Sequence, residues 1–153
     1  MVTYVGIHEK RKLSLLDLLT TVRDNPNFHK AGALAIFIGV VRGETPSGET
    51  VKKLELEAYE EKANEVLGNI CKELRKRKGV VDVQIHHFAG NFSIGEDLVY
   101  VVVAGAHRQN VFPVLEEAVE RYKKEVPIFK KEYIIDKTGA TKSYWVSERE
   151  TTR

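Results

Sequence analysis

Two stretches of this chain leave little freedom in how it can fold. Residues 33–41 (Ala-Leu-Ala-Ile-Phe-Ile-Gly-Val-Val) and 98–104 (Leu-Val-Tyr-Val-Val-Val-Ala) are almost wholly apolar and rich in β-branched side chains. A run without polar alternates has no face to offer water, so each reads as a strand buried on both sides, the first of them central in its sheet. Three helical patterns accompany them. Residues 15–22 follow Ser14, a good N-cap, with Asp17 placed to suit the positive helix end, and Asn25-Pro26-Asn27 stops the helix. Ala63, Val66, Leu67, Ile70, Cys71 and Leu74 fall at helical spacing and predict an amphipathic helix ending before Gly79. Asn110 can cap a third helix over 111 to about 124, with Pro113 tolerated in its first turn. Residues 2–7 suggest a short edge strand. Residues 54–58 form a strand with Glu55 and Glu57 on a wet face, and 81–85, 132–136 and 144–146 form further strands. Residues 43–50, with Pro46 and Gly48, read as a flexible loop. The order β-α-β-β-α-β-β-α-β-β is not a strict βα alternation. It predicts an α+β fold with a mixed, mostly antiparallel sheet and about three helices.

At 153 residues the chain fits one domain, residues 1–153, with a full core. Lys+Arg 24 against Asp+Glu 22 leaves only +2, against the strong basic excess of a bulk nucleic-acid binder, so any anion preference must be local. No apolar run approaches the roughly 20 residues of a membrane span, and the N-terminus shows no signal-peptide pattern. Cys71 is the only cysteine, which excludes an internal disulfide and a CxxC redox motif; a cytoplasmic location is the default expectation.

The segment 123–132, Lys-Lys-Glu-Val-Pro-Ile-Phe-Lys-Lys-Glu, brackets one proline with four lysines. Pro127 ends the helix before it, and a turn there can fold two pairs of ammonium groups towards one place. The helix dipole accounts for Lys123 and Lys124 cheaply, but not for Lys130 and Lys131. Arg42 ends the first apolar strand, where its planar fork suits a phosphate, or an ordinary rim pairing with an acid such as Glu44. His107 and Arg108 follow the second apolar strand and precede a helix, a reasonable anion cradle or plain loop polarity. Together these cations suggest a pocket for an anionic substrate, with no serine or cysteine triad in view. His86 and His87 are adjacent on a strand and must face opposite sides, which argues against a metal site from that pair. Cys71 sits on an apolar helix face and reads as buried and inert. Five basic residues within 72–78 read as a solvated helix end, and Trp145 as packing, an interface or a pocket wall.

Phe37-Ile-Gly-Val-Val-Arg42, Leu56-Glu-Ala-Tyr59, Ile85-His-His87 with Gly90 and Gly95, Ala106-His-Arg108, Val126-Pro-Ile-Phe-Lys-Lys-Glu132 and Trp145 occur in an order that resembles the large, catalytic subunit of molybdopterin synthase. The resemblance covers roughly residues 32–146. It implies an α/β hammerhead fold, a homodimer, and a ubiquitin-like small subunit at each end, making a heterotetramer. It implies a sulfurtransferase that takes two sulfurs from the small subunit's C-terminal thiocarboxylate and places them on cyclic pyranopterin monophosphate. The product is the molybdopterin dithiolene, a step of molybdenum cofactor biosynthesis. No cofactor or metal is implied, and no cysteine is needed here, because the sulfur arrives already activated on the partner. By position, Lys130 is implied as general acid/base or transient nucleophile and Lys123 as its partner near the thiocarboxylate. Arg42, His107, Arg108 and Lys131 match substrate-binding positions. Phe129 stands where the family commonly has Trp, and Lys124 leaves open which of two neighbours enters the pocket. Two other readings compete. A non-catalytic module that docks ubiquitin-like tails would not need both lysines, and a nucleic-acid-binding domain using residues 72–78 would show steep salt dependence.

Overall fold

The computed structural model describes residues 5–146. In chain order these form β1 (Gly6–Glu9), α1 (Leu15–Arg23), a 3₁₀ turn (Phe28–Lys30), β2 (Ala33–Val40), β3 (Thr50–Ala58), α2 (Glu60–Arg75), β4 (Val80–Phe92), β5 (Asp97–Gly105), α3 (Arg108–Glu125), β6 (Ile128–Ile135) and β7 (Thr141–Val146). The α+β expectation and its element order hold. The strand expected over 2–7 is β1, though residues 2–4 lie outside the described residues. Local chemistry sets α1: Ser14 Oγ accepts from the Asp17 amide at 3.1 Å, and Asp17 accepts from the Ser14 amide at 2.9 Å, a closed capping box.

The sheet runs β2-β5-β4-β3-β6-β7, with β1 added parallel to β4 and every other pairing antiparallel. β4 is the pivot. Its first part pairs with β5, while Gly90–Phe92 pairs with Leu56–Leu54 of β3. At the handover Gly90 has φ +127°, a conformation a side chain would strain. Apolar alternation predicts this strand over 81–85 only, because His87 stands where the pattern calls for the next apolar residue. Helices α2 and α3 bury Leu67, Ile70, Leu74, Val111 and Ala118 at 0–1% exposure, and each fully buried Leu or Ile contributes about 1.5–3 kcal/mol.

Three local expectations change. Among the described residues β2 is an edge strand, not a central one: β5 is its one strand partner, and Ile38 and Val40 are 36% and 54% exposed. An apolar run cannot say whether its cover comes from its own chain. The loop over 43–50 is a closed turn, with Thr45 N donating to Glu49 O at 2.9 Å and Val51 N to Gly43 O at 2.9 Å. Helix α3 begins three residues earlier than expected, with His107 at the N-cap. Asn110 lies within the first turn, accepting from the His107 amide at 3.2 Å and donating to Lys78 O at 2.9 Å. Pro113 therefore falls in the second turn.

Candidate functional site

A cavity of about 420 Å³ opens between the end of β2 with its following turn, the last turn of α3, and β6. Each element delivers a cation for a local reason. Val41 is buried after β2 and the chain then emerges, so Arg42 reaches the rim while anchored to the sheet. Lys123 lies in the last turn of α3, where the helix dipole favours a cation. Val126 and Pro127 alone join α3 to β6. Val126 N donates to Tyr122 O at 3.2 Å and Ile128 N to Val126 O at 2.9 Å. That short turn brings Lys130 back beside Lys123. Along β6 successive side chains alternate, so Lys130 and Glu132 enter the cavity. Lys124 points away and pairs with Glu120 at 3.7 Å, which resolves the choice between the two neighbours in favour of Lys123. Three cations against Glu44 and Glu132 leave the lining net positive, over an apolar floor that includes Phe37, Leu54 and Val99.

Sequence reasoning gave no role to the residue at the back of this cavity, His87. It is 3% exposed, and its ring lies edge-on to Tyr122 with centroids 5.7 Å apart. Its Nδ1 is 2.9 Å from Phe88 O. A carbonyl only accepts, so Nδ1 carries the proton and Nε2 keeps its lone pair. Burial pushes the imidazole down to about 4, and the charges of Lys130 and Lys123 push in the same direction. Strand alternation told the sequence that His86 and His87 part ways, but not which one meets the lysines.

The remaining candidates lie elsewhere. Lys131 is on the opposite face of the sheet, its ammonium 5.6 Å from the ring centre of half-exposed Trp145 and 5.5 Å from that of Tyr133. Phe129 shares that outer face and is 52% exposed, so it is no wall of this cavity. His107 and Arg108 stand at the start of α3, and the 15 residues from Arg108 to Lys123 span roughly 22 Å of helix, so they do not line the cavity of their own chain. Cys71 is fully buried, its thiol pushed up to about 12 chiefly by burial. Within 72–78, Arg75 pairs with Asp82 at 3.1 Å and Arg77 with Glu117 at 2.6 Å, so the run is partly spent on the chain's own acids. No described helix is long and apolar enough to cross a membrane.

The family described as "MoaE protein" matches residues 8–125. A Haloferax volcanii protein named probable molybdopterin synthase is 37% identical over 95% of this chain; the chain spans 54% of that relative's length. A Thermoplasma volcanium molybdopterin synthase catalytic subunit is 33% identical over 90% of this chain and 96% of its own. Among solved structures, molybdopterin synthase from Staphylococcus aureus superposes with a TM-score of 0.78 at 29% identity, covering 95% of this chain and 98% of that one. The match extends over the elements that build the cavity from Arg42 to Lys123, and on it the chain belongs to the MoaE protein family, whose named relatives include molybdopterin synthase catalytic subunits.

Proposed function

We propose that this cavity is where the chain, as the catalytic subunit of a molybdopterin synthase, moves sulfur from the C-terminal thiocarboxylate of a ubiquitin-like small subunit onto cyclic pyranopterin monophosphate. The observation that carries this reading is the convergence of Arg42, Lys123 and Lys130 on one cavity. Substrate phosphate and tail thiocarboxylate are both anions, and fixed cations lower the cost of bringing them together. Arg42, at the rim, holds the phosphate with its planar fork. Lys130 serves as general acid/base or transient nucleophile, with Lys123 beside it at the thiocarboxylate. Each transfer is a net exchange of sulfur for oxygen. The tail's C–S bond and one C–O bond of the pterin break, and the pterin gains a C–S bond. The tail gains a C–O bond, with water carrying the oxygen, and leaves as a carboxylate, so one product consumes two loaded tails. No thiol of this chain takes part, which agrees with the burial of Cys71.

A homodimer belongs to the proposal. The apolar edge of β2, exposed at Ile38 and Val40, is the kind of surface that a second copy covers. His107 and Arg108 join a site through such a copy, since their own chain holds them one helix length away. The setting is cytoplasmic. Mixing the chain with a thiocarboxylated small subunit and the pterin tests the reading. Dithiolene formation supports it, whereas binding of the tail without transfer would leave a docking module.

A further inference from the structure

Behind the lysine pair lies a second, smaller recess of about 20 Å³, lined by His87, Tyr122, Lys123, Val126, Ile128 and Lys130. Its volume suits a guest no larger than one water. Four of these residues, His87, Tyr122, Lys123 and Lys130, also line the main cavity. The imidazole, 3% exposed, therefore neighbours both lysines from the buried side of the cavity wall. Two features fix how it can interact. Its Nδ1–H is committed to Phe88 O at 2.9 Å, on the main chain of its own strand. Tyr122 meets the ring edge-on and holds its plane, with the centroids 5.7 Å apart. The one polar atom left on the ring is Nε2, at the far end of the side chain, and it can only accept. The ammonium groups beside it can only donate.

We propose that His87 is a positioning residue: a neutral imidazole whose Nε2 accepts a hydrogen bond from the Lys130 ammonium and so aims that group at the reacting sulfur. A lysine has four rotatable bonds and a compact charge, so an acceptor on its inner side removes much of its freedom. Burial and the neighbouring lysines keep the imidazole uncharged around neutrality, so it remains an acceptor whenever the enzyme works. A second cation at this position would instead repel Lys130. The assignment rests on the reading of the cavity as the sulfur-transfer site for its catalytic consequence, but not for its geometry.

Two measurements test it. In the ¹⁵N-labelled full chain, NMR of the histidine ring nitrogens reads tautomer and hydrogen bonding at His87. The expected result is a proton on Nδ1, and an Nε2 resonance that moves in Lys130→Met but stays in Lys131→Met, whose side chain lies on the other face. A proton on Nε2, or no response to Lys130→Met, overturns the proposal whether or not the chain makes molybdopterin. The second measurement is single-turnover transfer with saturating small subunit and pterin. His87→Leu removes the acceptor and should slow transfer roughly 10- to 100-fold, the loss of one hydrogen bond to a charged group, without weakening small-subunit binding. His87→Gln carries an acceptor to a similar place and should recover transfer to within about threefold of wild type. Equal loss in folded Leu and Gln variants would mean that His87 only fills space, and an unaffected Leu variant would leave it without a role. A wild-type chain that transfers no sulfur would instead remove the proposed function, leaving the NMR result to decide the hydrogen bond.

Discussion

Lys130 and Lys131 are neighbours in the chain and stand on opposite faces of one sheet. Lys130 projects into the cavity with Lys123, while the Lys131 ammonium lies 5.6 Å from the ring centre of Trp145 on the outer face. The pleat of β6 forces this separation, so of the two lysines that follow Pro127 only one can serve the chemistry inside the cavity. The contrast makes the pair an internal control. Lys131→Ala should reduce turnover at least tenfold less than Lys130→Ala does in the same assay. Its main effect should be the loss of two cation–π contacts, about 0.5–1 kcal/mol each at an exposed site, read as a lower urea midpoint.

Cys71 offers the simplest check on where the sulfur comes from. Its side chain is fully buried on α2 and its thiol is pushed up to about 12, so it supplies no thiolate near neutrality. Cys71→Ser should retain sulfur transfer while losing about 1–3 kcal/mol of stability, because a hydroxyl is harder to bury than a thiol. Loss of transfer in a variant that still folds would restore a thiol mechanism.

Stability should fall on mild acidification, and histidines set the window. Gln84 Nε2 donates to Asp82 Oδ2 at 2.9 Å, which turns Gln84 Oε1 towards His86 Nε2 at 2.8 Å, and His86 Nδ1 then accepts from His8 Nε2 at 2.9 Å. A second proton on His86 would set N–H against N–H. Burial holds His86 down at about 3 and His87 at about 4, and it lowers His8 as well. His86 and His87 stay neutral in the folded chain across this range and His8 is biased the same way, whereas in the unfolded chain all three take up protons near 6.5. Below that pH the unfolded state binds more protons, so stability is lost from about pH 6.5 down towards pH 4 and does not depend on these groups above it. His86 and His87 should each steepen the loss by about 1.4 kcal/mol per pH unit in that window. Urea titrations between pH 5 and pH 8 would show it, and a flat profile would contradict the buried, neutral assignment.

The dimer in the proposal predicts complementation. A site that takes Lys130 from one copy and His107 from another is intact once in a mixed dimer of Lys130→Ala and His107→Ala chains. Equal mixing after subunit exchange should then restore about a quarter of wild-type activity from two inactive parents. No recovery in proven mixed dimers would place His107 outside the site. Charging the exposed edge with Ile38→Lys and Val40→Lys should shift the chain towards monomer in analytical ultracentrifugation at little cost to folding, since both side chains are exposed.

What could be read from the sequence divides by range. Ser14 with Asp17, the stop at Pro127 and the helical spacing of Leu67, Ile70 and Leu74 are local signals, and each element lies where those signals put it. The pocket lysine on α3 was half legible: the dipole explained Lys123 and Lys124 together, and only the fold separates them, with Lys123 lining the cavity and Lys124 beside Glu120. The edge position of β2 was not legible, since 33–41 has the composition of a strand covered on both faces whoever covers it. Neither was the distance from Arg108 to Lys123, because resemblance gathers residues by role and takes no account of which copy supplies them. His87 escaped notice for a related reason. Adjacent histidines on a strand argue against a shared metal, and that argument is silent on what each finds on its own side.

The proposed transfer depends above all on Lys130, inside the cavity. Single-turnover dithiolene formation tests it most directly. The chain is mixed with a thiocarboxylated small subunit and cyclic pyranopterin monophosphate, and molybdopterin is detected as its fluorescent oxidation product. Wild type should form product in one turnover. A folded Lys130→Ala chain that still binds the small subunit should be slower by about 100-fold or more, the scale of losing a positioned acid/base. Near-normal product from that variant would contradict the account.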